Sequence, residues 1–95
     1  MTTNVERHHN LCDELNALYA KKNADYGDSF HQTFLEEGYA MSRIRLMDKL
    51  NRFKTLSRKD PSKHEVKDES LRDTLMDLAN YALMTILEME AAGRK

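Results

Sequence analysis

Hydrophobic positions along this chain recur at intervals of three and four and nowhere alternate, so every predicted element is a helix. Thr3-Asn4-Val5-Glu6 has the Thr-x-x-Glu form that satisfies the first free amides of a helix. Val5, His8, Leu11, Cys12, Leu15, Leu18 and Tyr19 follow at helical spacing, predicting a first helix over about residues 4–22. After Gly38, the series Tyr39, Leu46, Met47, Leu50 and Phe53 predicts a second helix. It fades near Leu56 as the polar run Ser57-Arg58-Lys59-Asp60-Pro61-Ser62-Lys63 begins, with Pro61 outside it. Ser70-x-x-Asp73 is a box-like start for the third and longest helix, whose apolar repeat carries to about Met89 before Gly93. Between the first two, Gly27 permits a sharp turn, Asp28 or Ser29 can cap a short helix running to about Glu37, and Gly38 can stop it. The expected fold is all-α, with three main helices plus a short connecting helix in a single domain, residues 1–95.

The third helix carries the most pointed pattern. At 100° per residue, Glu69, Asp73 and Asp77 fall within about 80° of one another with Asn80 between them, opposite Leu71, Leu75, Leu78, Ala82 and Ile86. The carboxylate line and the expected core stripe are then separate faces. Carboxylates four residues apart offer oxygen ligands to a divalent cation, and they equally keep an amphipathic helix solvated. If the second and third helices pair antiparallel across the polar run, Asp48 lies about 12 Å from the end of its helix and Asp77 about 10 Å from the start of the next. Asp48, Asn51, Asp73 and Asp77 could then converge on one space. An ion pair of Asp48 with Arg45 or Arg52 within the second helix accounts for the same residues.

Composition narrows the partners. With 95 residues, a third of them charged, no Trp and three Phe, the chain can fill only a modest core. Met76, Ala79, Leu83 and Leu87 add a second apolar surface beside the main stripe of the third helix, so a homodimer or higher homo-oligomer is expected. A net charge of −1 with interspersed signs argues against a nucleic-acid polymer as partner. Cys12 stands alone, so no internal disulfide forms, and its expected place is in the core as a small hydrophobe. No apolar run approaches the length of a signal peptide or membrane span, which suggests a cytoplasmic protein with no membrane partner. Adjacent His8 and His9 diverge by about 100° and cannot chelate one metal together; His31 is a candidate ligand or phosphate donor, and His64 is expected in solvent. Zinc is not expected.

Tyr26-Gly27-Asp28-Ser29-Phe30 sets two aromatics beside a glycine and a helix start, a seat for a planar ring or an anion or else an anchored turn. That run, then Ile44-Arg45-Leu46-Met47-Asp48-Lys49-Leu50-Asn51-Arg52, then Asp68-Glu69-Ser70 and Asp73-Thr74-Leu75-Met76-Asp77-Leu78-Ala79-Asn80-Tyr81-Ala82, resembles the nucleotide modification associated domain of the first type. These small α-helical proteins are common in phages and bacteria, and the resemblance covers roughly residues 20–90 in collinear order. The family is in turn similar to the MazG-like all-α nucleoside triphosphate pyrophosphatases, which bind magnesium through Glu-x-x-Glu on one helix and Glu-x-x-Asp on the next. Asp77 stands at the place of the final Asp, and Asp73 one residue before the place of its Glu, where Thr74 stands. Asp48-x-x-Asn51 is the candidate first pair, with a neutral carbonyl at Asn51.

The resemblance implies a Mg2+-dependent nucleoside triphosphate pyrophosphohydrolase acting on a standard or modified nucleotide. Asp73 and Asp77 would be catalytic and, with Asp48 and Glu69, would hold magnesium, helped by phosphate oxygens and water. Arg45, Lys49 and Arg52, at i, i+4 and i+7, would neutralise phosphate. Tyr26 or Phe30 would stack on the base, with Ser29 and Asn80 as further substrate contacts. Two other expectations stay open: a noncatalytic binder that holds a nucleotide or nucleotide-derived signal as a sponge, and an interaction protein whose polar faces are only solvated.

Overall fold

A computed structural model of the chain describes residues 1–58 and 67–93, and for Tyr26 and residues 67–69 it describes the backbone alone. The helices in order are α1 (Asn4–Tyr26), α2 (Ser29–Glu37), α3 (Tyr39–Ser57) and α4 (Lys67–Gly93), and no strand occurs among the described residues. The all-α expectation is met. Pro61 and His64 lie outside the described residues.

Each boundary has a local cause. Thr3 caps α1, its hydroxyl oxygen accepting from the Glu6 amide at 3.1 Å. The helix continues past the expected residue 22 to Tyr26, because Gly27 is the first residue suited to the break. It turns at φ 62°, its amide donating to the Asn23 carbonyl at 2.8 Å. Gly38 ends α2 in the same way at φ 64°, its amide donating to the Phe34 carbonyl at 2.7 Å. Across that turn, the rings of Phe34 and Tyr39 meet edge-on at 5.5 Å. Asp28 occupies the N-cap position of α2 as expected, but its side chain makes no capping hydrogen bond. The expected start of α4 at Ser70 is corrected to Lys67; Ser70 lies inside the helix, its carbonyl accepting from the Thr74 hydroxyl at 2.7 Å.

α3 and α4 form the antiparallel pair that the sequence suggested, and two contacts fix their register. The hydroxyls of Ser42 and Thr85 are hydrogen-bonded at 3.0 Å, and Lys49 Nζ lies 3.0 Å from Asp77 Oδ2. α1 lies against α4 through its C-terminal half. Asn80 Nδ2 donates to the Leu15 carbonyl at 3.2 Å, and Arg72 grips both oxygens of Glu14 at 2.8 and 2.6 Å. That fork holds the Glu14 carboxyl below its ordinary range.

α4 is turned part-way from the expected setting. Ser70, Thr74, Asp77, Tyr81, Thr85 and Glu88 are half-buried or buried; of the expected core stripe Leu71 and Leu78 are half-buried, whereas Leu75, Ala82 and Ile86 are exposed, as is Asp73 of the carboxylate line. Among the described residues, the buried apolar side chains are Met41, Leu56 and Met76, joined by the polar Ser42 and Thr74. The polar inner face stays satisfied because its hydroxyls bond to carbonyls one turn back, as Thr85 does to Tyr81 at 2.8 Å. Residues 1–14 are exposed throughout, Cys12 included, so the expectation of a core cysteine is corrected. At 23 residues α1 is about 35 Å long, and the hydrogen bonds that tie it to α4 start only at Glu14. No described helix is long and apolar enough to cross a membrane.

Candidate functional site

Where α1 ends, α2 begins and α4 passes beneath, the helices leave a half-open cavity of about 450 Å³. That is within the range of small-molecule sites. Its floor is the polar face of α4, from Asp77 through Asn80, Tyr81 and Met84 to Leu87 and Glu88. Tyr19, Lys22 and Asn23 line it from α1, Asp28, Ser29 and Phe30 from the turn into α2, and Arg45 from α3. The break at Gly27 makes this space by turning the chain away from the α1 axis just where α1 reaches α4.

Two charged clusters mark the cavity. At one, the Asp77 carboxylate is held between two ammonium groups, Lys22 Nζ at 2.8 Å from Oδ1 and Lys49 Nζ at 3.0 Å from Oδ2. Burial alone would raise the Asp77 carboxyl, but hydrogen bonds from Lys22 and Lys49 outweigh it and hold the group below the ordinary carboxylate range. At the other, His31 Nδ1 lies 2.6 Å from Glu88 Oε2. The hydrogen bond that His31 donates to Glu88 raises the imidazole above its ordinary value against the pull of burial, and the charge of Asp28 adds to the rise. Beside this pair the rings of Phe30 and Tyr81 lie near-parallel, 22° between planes and 6.0 Å between centroids. Arg45 enters from α3 and makes no ion pair among the described residues.

Of the residues singled out from sequence, Ser29, Phe30, Arg45, Asp77 and Asn80 share this cavity, and Lys49 reaches its edge through Asp77. Asn80 spends one amide N–H on α1, which leaves its other N–H and its carbonyl oxygen for other partners. Arg52 and Asp73 are exposed and do not line the cavity. Asp48 lies at the height estimated for it, but the side chain that meets Asp77 at that level is its neighbour Lys49. Asp48 sits on an exposed patch with Ala40, Arg43, Ile44 and Met47. The side chains of Tyr26 and Glu69 fall outside the described residues.

No three His, Cys, Asp or Glu side chains among the described residues lie where they could hold one metal ion, and Asp77 is already neutralised by two lysines. What the arrangement can do is hold a planar, weakly anionic molecule: aromatic rings for a flat face, cations for a phosphate, carboxylates for hydrogen-bond donors.

Sequence reasoning passed over Lys22 and the partnership of His31 with Glu88; Tyr81, which it held out beside Asn80 as a base or ribose contact, lines the cavity. His31 and Glu88 are 57 residues apart, so no local spacing joins them. A signal for Glu88 existed all the same, because it lies three turns after Asp77 on the same face of α4.

No curated protein and no solved structure matches the chain. A family model does match, over residues 22–89, a span that runs from Lys22 on one wall of the cavity past Glu88 on the other. By that match the chain belongs to the family of nucleotide modification associated domain 1.

Proposed function

We propose that the protein binds a nucleotide in the cavity between α1, α2 and α4 and holds it without turning it over. The observation that carries this reading is one half-open space combining the Phe30–Tyr81 rings with Lys22 and Arg45. A base needs a flat apolar wall and a phosphate needs cations, and the family description supports the same ligand class. Holding without hydrolysis follows from Asp77. A carboxylate clamped by Lys22 and Lys49 neither activates water nor recruits a divalent ion well. The alternative is the Mg2+-dependent pyrophosphohydrolase that the MazG-like resemblance implies, with Asp73 and Asp77 in the catalytic roles.

One experiment separates them. The protein is titrated with a panel of nucleosides and nucleoside mono-, di- and triphosphates with and without magnesium, and the bound nucleotide is recovered by heat denaturation. Recovery of unchanged ligand agrees with the binder, and release of pyrophosphate establishes the hydrolase. If no member of the panel binds, both readings fail.

Self-association in the cytoplasm completes the reading. Leu75, Leu83, Ile86 and Met89 lie within about 120° on the outer face of α4, and Ile44 and Met47 are exposed on α3. A chain with three buried apolar side chains among its described residues and this much exposed leucine, isoleucine and methionine gains from a second copy. Light scattering at micromolar concentration is expected to give at least twice the 11.1 kDa chain mass.

A further inference from the structure

The cavity has two chemically different ends. Asp77 and Glu88 are eleven residues apart on α4, about 16 Å at the helical rise. Lys22 and Lys49 gather at the Asp77 end, whereas His31 and Asp28 gather at the Glu88 end. The register set by Ser42–Thr85 and Lys49–Asp77 puts Arg45 opposite Tyr81, between the two. A base stacked at Phe30 and Tyr81 therefore has cations toward one side of it and a carboxylate, Glu88, only 12 % exposed, on the other.

The charges nearly cancel. Lys22, Arg45 and protonated His31 stand against Asp28, Asp77 and Glu88, three positive and three negative, and Lys49 at the edge leaves one positive charge over. One phosphate group, with its one to two negative charges, is matched by this set. A triphosphate would bring its further charges into a half-enclosed space that already holds three carboxylates.

The hydrogen-bonding capacity left on Glu88 is acceptor in kind. Glu88 accepts from His31 on one oxygen and keeps the other. That carboxylate oxygen has two lone-pair sites for two adjacent N–H donors, which among the common bases are found on the guanine edge.

Resting on the nucleotide reading above, we infer that the ligand is a nucleoside monophosphate with a guanine-type donor edge, its phosphate toward Lys22, Arg45 and Lys49 and its base edge on Glu88. The calorimetric test uses guanosine, GMP, GTP with and without magnesium, and UMP. GMP is expected to bind at least ten-fold tighter than guanosine, GTP or UMP. Glu88→Gln should bring GMP and UMP within two-fold of each other. Arg45→Ala, at an exposed and unpaired side chain whose loss leaves the fold intact, should bring GMP down to the affinity of guanosine.

GTP binding as tightly as GMP, or UMP matching GMP on the unaltered protein, overturns this inference while leaving the nucleotide reading in place. Failure of all the probes overturns both. Should Glu88→Gln fold poorly, the comparison of GMP with UMP and the Arg45→Ala variant still decide the matter.

Discussion

Asp77 is the residue on which the structural and functional arguments meet, and a double-mutant cycle between it and Lys49 tests both. Hydrogen bonds to charged groups contribute about 1.5–3 kcal/mol when water is kept away. Here Asp77 is 23 % and Lys49 27 % exposed, so screening trims the coupling to about 1–2 kcal/mol. Lys22 is 54 % exposed, and its bond to the same carboxylate adds at most about 0.5 kcal/mol. Asp77→Asn should therefore destabilise the protein by about 1.5 kcal/mol, a fall of roughly 6–12 °C in Tm for a domain of this size. Urea unfolding of the native protein, Asp77→Asn, Lys49→Met and the double variant at pH 7 should show the coupling as non-additivity. The pH dependence has a definite sign. The folded carboxyl titrates below the ordinary 3.8, so its contribution is fully present above that value and disappears as the pH falls through the depressed folded pKa. The gap between native protein and Asp77→Asn should thus be constant from pH 7 to about pH 5 and close in strong acid. Binding should move the other way, since Asp77→Asn removes a negative charge from the phosphate end of the cavity and GMP should bind tighter. A coupling under about 0.3 kcal/mol would refute the clamp. Loss of magnesium-dependent binding or turnover in Asp77→Asn would instead establish the carboxylate as a metal ligand.

Three further outcomes follow from other parts of the structure. The His31 imidazole, followed by NMR, should titrate above 6.5, and Glu88→Gln should return it toward that value; the pair's contribution is complete below 6.5 and is lost as the pH rises through the raised value, so an unchanged titration in the variant would exclude the contact. Met76→Ala empties one of the few buried apolar positions and should cost about 2–4 kcal/mol at any protein concentration. Ile86→Glu, on the exposed face of α4, should lower the assembly mass in light scattering without altering the helical circular dichroism; an unchanged mass would remove that face from the interface.

Much of the helical layout was legible because helix ends carry local chemistry. The Thr3 cap and the breaks at Gly27 and Gly38 depend on neighbouring residues, and the structure uses all three. The antiparallel pairing of α3 and α4 was also within reach, since a fixed rise per residue sets heights, and the level estimated for Asp48 and Asp77 is correct to one residue. What sequence periodicity could not supply was the absolute rotation of each helix. Asp48 and Lys49 are adjacent and 100° apart, so the same height estimate holds for a carboxylate pair or a salt bridge, and only packing chooses. On α4 the ambiguity was greater, because apolar residues occur on both sides: Leu75 and Ile86 on one, Met76 and Met84 on others. Of the leucines assumed to turn inward, Leu71 and Leu78 are half-buried and Leu75 is exposed. Long-range contacts such as His31 with Glu88 and Lys22 with Asp77 arise from the turn at Gly27 and carry no spacing signature at all.

The observed rotation of α4 links stability to function. With Ser70, Thr74, Asp77, Tyr81, Thr85 and Glu88 turned toward the other helices, the interior is rich in hydrogen-bonding groups and poor in buried hydrocarbon. Such a chain draws little stability from apolar burial, and anything that binds the folded form adds to it by mass action. A ligand at a hundred times its Kd stabilises by about 2.7 kcal/mol, comparable with a sizeable share of what a 95-residue domain has in total. A second copy covering Leu83, Ile86 and Met89 acts in the same direction. The two effects differ in their dependence: stabilisation by GMP scales with GMP concentration and falls to that given by guanosine in Arg45→Ala, whereas stabilisation by assembly scales with protein concentration and is lost in Ile86→Glu. Melting the native protein and both variants across a grid of the two concentrations separates them. A Tm that ignores GMP in the native protein would mean that the cavity does not bind GMP, whatever the outer face of α4 does.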